Sequence, residues 1–176
     1  WRRICTSHHK GEESMQYLID RSLMRPRFLI NLINQCKSFA INLNHSTIQE
    51  EDIRKGISAF STDLITDIGF EINDVSPEAK DILYAFIESE PSLPKNKLVP
   101  ILKSFGVTDD KIEGILNLLI WYGFLGLQIN ASHIKYIYDF NYNMQLPKGI
   151  LKKKNESQIF VINPAFWPAL MIEDSK

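Results

Sequence analysis

Thr108-Asp109-Asp110-Lys111-Ile112-Glu113-Gly114-Ile115-Leu116-Asn117-Leu118-Leu119-Ile120-Trp121-Tyr122-Gly123-Phe124-Leu125-Gly126-Leu127-Gln128-Ile129 is the stretch in which the chain changes rhythm. Ile112, Ile115, Leu116 and Leu119 recur at three- and four-residue steps, the spacing of one buried helical face. Thr108 is placed to cap that helix, with Asp109 and Asp110 in the first turn, where negative charge complements the backbone dipole. Gly123 ends it, and from Phe124 to Ile129 the period drops to two, which predicts a strand. Downstream, Ile134, Tyr136, Tyr138 and Phe140 alternate with Lys135, Ile137 and Asp139, predicting a second strand. A basic loop follows from Pro147 to Asn155, then a third strand over Gln158–Ile162 and a last helix starting near Pro164. Upstream, Ser76 caps a helix with Pro77 at its first position and Ala79, Ile82, Leu83, Phe86 and Ile87 on its apolar face. Glu90 to Pro94 reads as a turn. A short helix runs from about Lys95 to Phe105, bent by Pro100 and closed by Gly106. Three helices followed by a β-hairpin is the order of a winged helix-turn-helix.

The first half reads differently. Met15, Leu18, Ile19 and Leu23 predict a short helix that breaks before Pro26. Leu29, Leu32, Ile33, Cys36, Ala40 and Leu43 form the stripe of a second helix, and Ile53, Ile57, Phe60, Leu64, Ile68 and Ile72 that of a third. Asn44 to Ser46 is the polar break between them, and Asn73-Asp74-Val75-Ser76-Pro77 marks a boundary. The expected architecture is mainly α with a small antiparallel sheet: a helical lid-like bundle over residues 1–75, then a winged-helix domain over 76–176.

Composition narrows the function. The 176 residues carry 20 basic and 21 acidic side chains for a formal net charge of −1, so no global field draws the chain to nucleic acid or anionic lipid. An apolar fraction of 44% supports a packed core. Cys5 and Cys36 are too few for a disulfide framework and read as reduced thiols. The most apolar run, Ile115–Ile129, is too short to span a bilayer and is interrupted by Asn117, Gly123, Gly126 and Gln128. No secretory segment follows Trp1-Arg2-Arg3-Ile4, and a cytoplasmic location without membrane contact is expected. There is no phosphate-cradling Gly-x-x-x-x-Gly-Lys-Ser/Thr loop, no His-Glu-x-x-His and no nucleophile elbow. Cys5, His8 and His9 lie close in sequence but fit a solvated loop better than a metal site; His45 and His133 read as surface residues. The chain opens on Trp1 rather than Met, so an upstream domain is expected.

Arg25-Pro26-Arg27 is the sharpest local signal. Proline fixes the entry of a helix and two guanidiniums, planar forks suited to phosphate oxygens, flank it. Taken alone, the tripeptide fits a surface pair bridging acids such as Asp20 better than a nucleotide contact. Its setting adds more. Ser22-Leu23-Met24-Arg25-Pro26-Arg27-Phe28-Leu29-Ile30, then Ile48-Gln49-Glu50-Glu51-Asp52-Ile53, Phe60-Ser61-Thr62-Asp63-Leu64, Tyr122-Gly123-Phe124-Leu125-Gly126 and Phe160-Val161-Ile162-Asn163-Pro164-Ala165-Phe166 together resemble the C-terminal region of bacterial P-loop ATPases related to the AAA+ and STAND classes. That resemblance implies a sensor 2 arginine, Arg27 first and Arg25 second, touching the γ-phosphate of ATP held with Mg by an upstream core of the same polypeptide. Phe28 departs from the family, which often has an acid there. The resemblance also implies that the fragment has no cofactor and no enzymatic activity of its own, that an effector protein or further copies of the chain are its partners, and a place in antiviral defence.

Nucleic-acid contact is not favoured for the predicted recognition helix, whose acids face phosphates and repel them. Lys148, Lys152, Lys153 and Lys154, at the expected wing tip, are the better candidates for touching DNA backbone, and equally fit a solubilising hairpin tip. Leu118, Trp121 and Tyr122 exceed what one buried stripe needs and are candidates for a protein interface. Two alternatives therefore stand beside the ATPase reading: a DNA-binding winged helix with a basic wing, and a protein-binding adaptor.

Overall fold

The longest apolar stripe makes the longest helix. In the computed structural model, which describes residues 1, 3–131, 133–154 and 157–173, α3 runs over Glu50–Val75. Every residue of its predicted stripe is buried, with Ile53, Ile68 and Ile72 fully so. Its start is fixed by a reciprocal cap: Gln49 and Asp52 each bond the other's backbone N–H with their side chains. Ahead of it, α1 spans Ser14–Asp20 and α2 spans Pro26–Asn42, with Pro26 in the first turn. A two-residue hairpin, β1 (His8–His9) with β2 (Glu12–Glu13), precedes α1. Just before it, Cys5 pairs in parallel with Ile48, tying the N-terminal segment to the loop between α2 and α3.

Helices α2 and α3 lie antiparallel, since Arg25 reaches Glu71, Cys36 crosses Gly56, and His45 just past α2 meets Asp52 at the start of α3. The buried line on α2 is Phe28, Leu32, Cys36 and Ala40, a strict four-residue repeat. Leu29 and Ile33 pack at its margin, and Leu43 of the predicted stripe is 38% exposed. Phe28 is a core ring against Phe60 with centroids 6.1 Å apart.

The second half begins with 3-10 turns at Pro77–Ala79 and Ile82–Phe86 rather than a continuous helix. Ala79, Ile82, Leu83 and Phe86 are buried, whereas Ile87 is exposed. Strand β3 (Ser92–Pro94) leads into α4 (Lys95–Ser104), which carries Pro100 in its interior. Helix α5 covers Ile112–Trp121. It starts three residues after the Thr108 cap would place it, because Thr108 turns to bond Asp110 within the loop. Strand β4 (Leu125–Asn130) pairs with β5 (His133–Lys135) and, on its other edge, with β6 (Ile159–Ile162); β3 closes the antiparallel sheet in the order β3-β6-β4-β5.

Three expectations are corrected here. The strand after His133 stops at Lys135, since Ile137–Phe140 is a 3-10 turn capped by Asp139, followed by Asn141 and Tyr142 at positive φ. The segment expected as a basic loop is helix α6, Gln145–Lys154; Asn155, its last expected residue, lies outside the described residues. Pro147 sits in the first turn, where proline is tolerated. The segment after Pro164 is a series of turns rather than a helix. It is shaped by Asn163, whose side-chain oxygen accepts from Ala165 N–H at 3.0 Å, and by Trp167 Nε1–H donating to Ile162 O at 2.9 Å.

The two halves share one core. Phe86, Phe124 and Phe166 meet in series, tilted and then edge-on, with centroids 5.0 Å apart at each step. The buried cluster runs without interruption from Cys5 to Ile172. Ser61 Oγ on α3 accepts a bond from Ala169 N–H at 3.1 Å. The helix end at Val75 is thus a change of element inside a continuous interior. Among the described residues no helix is long and apolar enough to cross a membrane.

The tightest point is the crossing of α2 over α3. A Cβ built on Gly56 would lie 2.5 Å from Cys36 Sγ and 2.7 Å from Cys36 N. Backbone stands in the way, so the cost of adding a methyl cannot be relieved by one rotamer change. Gly56→Ala is expected to lower unfolding free energy by about 1–3 kcal/mol, the usual cost of overpacking, measured by urea denaturation; an unchanged midpoint would show that the crossing is loose.

Candidate functional site

The Arg-Pro-Arg step sits at a corner. Leu23 and Met24 both adopt positive φ, 52° and 53°, a conformation costly for side-chain-bearing residues. Leu23 is held there by burial, 1% exposed, and its Cδ2 lies 3.8 Å from where a Cβ on Gly123 would stand. The turn therefore locks the start of α2 against the end of α5. Arg25 occupies the cap position of α2 and Arg27 its second helical residue.

The two guanidiniums have different fates. Arg25 lies 3.6 Å from the Glu71 carboxylate on α3 and over the Phe28 ring at 5.3 Å. Tyr122 Oη–H donates to Glu71 O at 3.0 Å from the end of α5. Burial, then the nearby Glu71 charge, raises the Tyr122 phenol above its ordinary range. Arg25 is thus part of a joint that ties α2, α3 and α5 together. Arg27 is exposed, and among the described residues it makes no ion pair. Neither guanidinium is packed inside. Asp20, the acid considered as a partner, instead accepts a bond from Gln16 at 2.7 Å.

The interface candidates separate likewise. Tyr122 is buried at 8% exposure, so it serves the joint and is corrected as a surface residue. Leu118 is half-buried against the core. Trp121 is 39% exposed and meets the Tyr142 ring edge-on at 5.8 Å. The four lysines do not form a wing tip, because α6 carries them. Lys154 Nζ donates to Gln128 O at 2.7 Å and Ile129 O at 2.8 Å, capping strand β4, and is thereby removed from the set facing solvent. Lys152 and Lys153 are exposed, and Lys148 is half-exposed.

Around the N-terminal segment, Cys5 and Cys36 are both buried free thiols. Burial pushes Cys5 up to about 11 and Cys36 up to about 12, with the Asp52 carboxylate adding to both. His8 is exposed, and His9 is buried edge-on to Tyr17 with centroids 4.7 Å apart; loss of hydration lowers its pKa. His45, read from sequence as an isolated surface residue, holds Asp52 through Nδ1 at 2.9 Å, which sequence spacing gave no means of finding. Among the described residues no group of three or more His, Cys, Asp or Glu is placed to hold a metal ion.

Comparison with known proteins adds the following. Residues 1–69 match the family described as a FunZ-associated C-terminal helical domain, which covers the hairpin, α1, α2 and most of α3. The chain is 26% identical over 185 residues to the putative transposon gamma-delta 80.3 kDa protein of Escherichia coli K12, spanning 97% of this chain and 26% of that one. It is also 28% identical over 93 residues to the allergen Alt a 2 of Alternaria alternata, spanning 53% of this chain and 49% of that one. The chain therefore spans about a quarter to a half of the length of these relatives. No solved structure matches it significantly.

Two outcomes test this placement. Lys154→Ala is expected to cost about 1 kcal/mol of stability by stripping two half-buried carbonyls of their charged donor, while Lys153→Ala stays within about 0.5 kcal/mol; equal thermal midpoints would show Lys154 to be free. For the thiols, the folded state keeps its protons where an unfolded chain, titrating near 9.0, would ionise. Native binding of protons in excess of the unfolded chain means that stability falls as pH rises above that value. At pH 8, alkylation by iodoacetamide is expected to run at least about tenfold slower in the folded chain than in urea; equal rates would contradict the burial.

Proposed function

We propose that this chain is the C-terminal regulatory portion of a larger P-loop ATPase, and that Arg27 is the sensor residue it presents to nucleotide held elsewhere in the polypeptide. The observation that carries the reading is the contrast at the helix start: Arg25 is engaged by Glu71, while Arg27 is exposed and, among the described residues, makes no ion pair. A fixed cation with no internal partner is suited to neutralising charge that a docking domain brings to it. The match of residues 1–69 to a C-terminal helical domain, and the small share of the E. coli relative that the chain spans, support a place at the end of a longer protein. The residues present offer only a guanidinium toward ATP and Mg; phosphate cradle and metal ligands belong to the core. Supplied with them, Arg27 would hold the γ-phosphate and make the angle of the bundle depend on hydrolysis. The chain alone hydrolyses no ATP on this reading.

Residues 76–173 we read as a winged helix with an altered wing. The sheet order β3-β6-β4, with α4 and α5 between β3 and β4, supports it, and the β5-to-α6 segment stands where a simple wing would be. The name of the E. coli relative associates that protein with a transposon, which supports a setting near DNA.

In the full-length protein, Arg27→Ala is expected to reduce ATP turnover about a hundredfold, the order for removing one transition-state donor, without shifting the melting temperature. Arg25→Ala is expected to lower the melting temperature because it opens the joint with Glu71. Unchanged kinetics for Arg27→Ala, or an upstream region lacking a Walker A and B pair, would overturn the reading.

A further inference from the structure

A groove of about 890 Å³ lies between three helices. Its walls have a regular origin. Helix α4 contributes Val99 and Pro100, while α5 contributes Glu113, Leu116 and Asn117 and α6 contributes Lys148, Leu151 and Lys152, the latter two sets at the three- and four-residue steps of one helical face. The floor is apolar and the rim is charged. Lys148 and Lys152 face one lining acid, Glu113, because Asp109 is already paired with Lys103 at 2.6 Å. The groove is therefore locally positive in a chain whose formal net charge is −1.

One end of the groove carries an aromatic pair. Trp121 lies one turn beyond Asn117 on α5, and Tyr142 lies three residues before Gln145, which lines the groove at the start of α6. Their rings meet at 5.8 Å, each about 40% exposed, and so present a partly open π surface where α5 and α6 converge. Nothing in the sensor-arginine reading uses these residues.

We propose that this groove binds single-stranded nucleic acid, with Lys148 and Lys152 following the phosphates and Trp121 stacking a base at the Tyr142 end. A duplex is excluded by shape. A major groove about 12 Å wide admits one helix, and α5 is flanked by α6 along the face that would enter. A single strand has the opposite needs: a narrow cationic channel, an apolar surface for sugars and bases, and an aromatic platform tolerant of any base. Glu113 on the opposite rim repels phosphate and so favours a strand lying toward α6. Asn117 and Gln145 offer amides that both donate to and accept from base edges without selecting one.

The test uses the 176-residue chain and a 20-nucleotide oligo-dT. Binding is expected to quench tryptophan fluorescence, and the quench is expected to vanish in Trp121→Phe, which assigns the signal among Trp1, Trp121 and Trp167. Trp121→Ala is expected to weaken binding about tenfold. Lys148→Gln with Lys152→Gln is expected to flatten the dependence of log affinity on log salt by about 1.4, the share of two phosphates on a single strand. Should a variant fail to fold, the unmodified chain still decides the matter: bound oligo-dT protects Lys148 and Lys152, but not Lys153, from acetylation. An equal response to polyglutamate, tighter binding of a duplex of the same length, or a quench that survives in Trp121→Phe would overturn the proposal.

Discussion

The approach of α2 to α3 at Gly56 is the constraint on which the rest of the structure hangs. Only an absent side chain lets the Cys36 backbone come so close, and that contact sets the register of the antiparallel pair. Register places Phe28 over Phe60 near one end and His45 beside Asp52 at the other. At the first end, Arg25 is brought to Glu71 and Leu23 to the foot of the second half. At the other, the buried Asp52 carboxylate closes the α3 cap and the N-terminal segment pairs across Ile48. A shift of one turn along α3 would carry each pairing about 5.4 Å out of reach.

That geometry gives the two arginines unequal roles. Arg25 is drawn inward because the helix cap position faces α3, where Glu71 stands within ion-pair distance. Arg27, two residues on, is rotated by about 200°, a little over half a turn, to the outer face. A surface salt bridge such as Arg25–Glu71 is worth little in isolation. Here Tyr122 bonds the backbone of the same Glu71, so side chain and main chain of one residue gather three helices. That joint fixes the corner from which Arg27 projects.

Much of the bundle was legible because long helices average over many residues. The stripe from Ile53 to Ile72 leaves no competing assignment, and Pro26 marked the start of α2 within a residue. The second half was harder where short elements depend on distant partners. Pro147-Lys148-Gly149 followed by three lysines has the composition of a loop, and intrinsic preference would keep it one. Its helical signal was the spacing of Pro147, Ile150, Leu151 and Lys154, three apolar positions and a long stem on one face. Lys154 was read as a charge rather than as an amphipathic side chain able to lie along a strand end. The turn after Phe140 was hidden for a related reason: Asn141 and Tyr142 enter the left-handed region because Asp139 caps the preceding residues, and alternation of apolar residues cannot report that. At the Arg-Pro-Arg step, position along the chain singled out two arginines alike, and only the fold shows that Arg25 meets Glu71 while Arg27 is exposed.

Charge is segregated in the second half in a way that follows from this folding. Acids cluster before and within the first turn of α5, where they suit the helix dipole and where Lys103 and Lys111 pair Asp109 and Glu78. Lysines cluster in the last turn of α6, again as the dipole prefers. Local helix electrostatics thus already places opposite charges on facing walls. The walls are kept from collapsing on one another by the sheet, because Lys154 is spent on the Gln128 and Ile129 carbonyls and so anchors α6 at its far end. The groove thus has walls of unequal charge, and the helix that forms one of them is fastened to the end of β4 beside it.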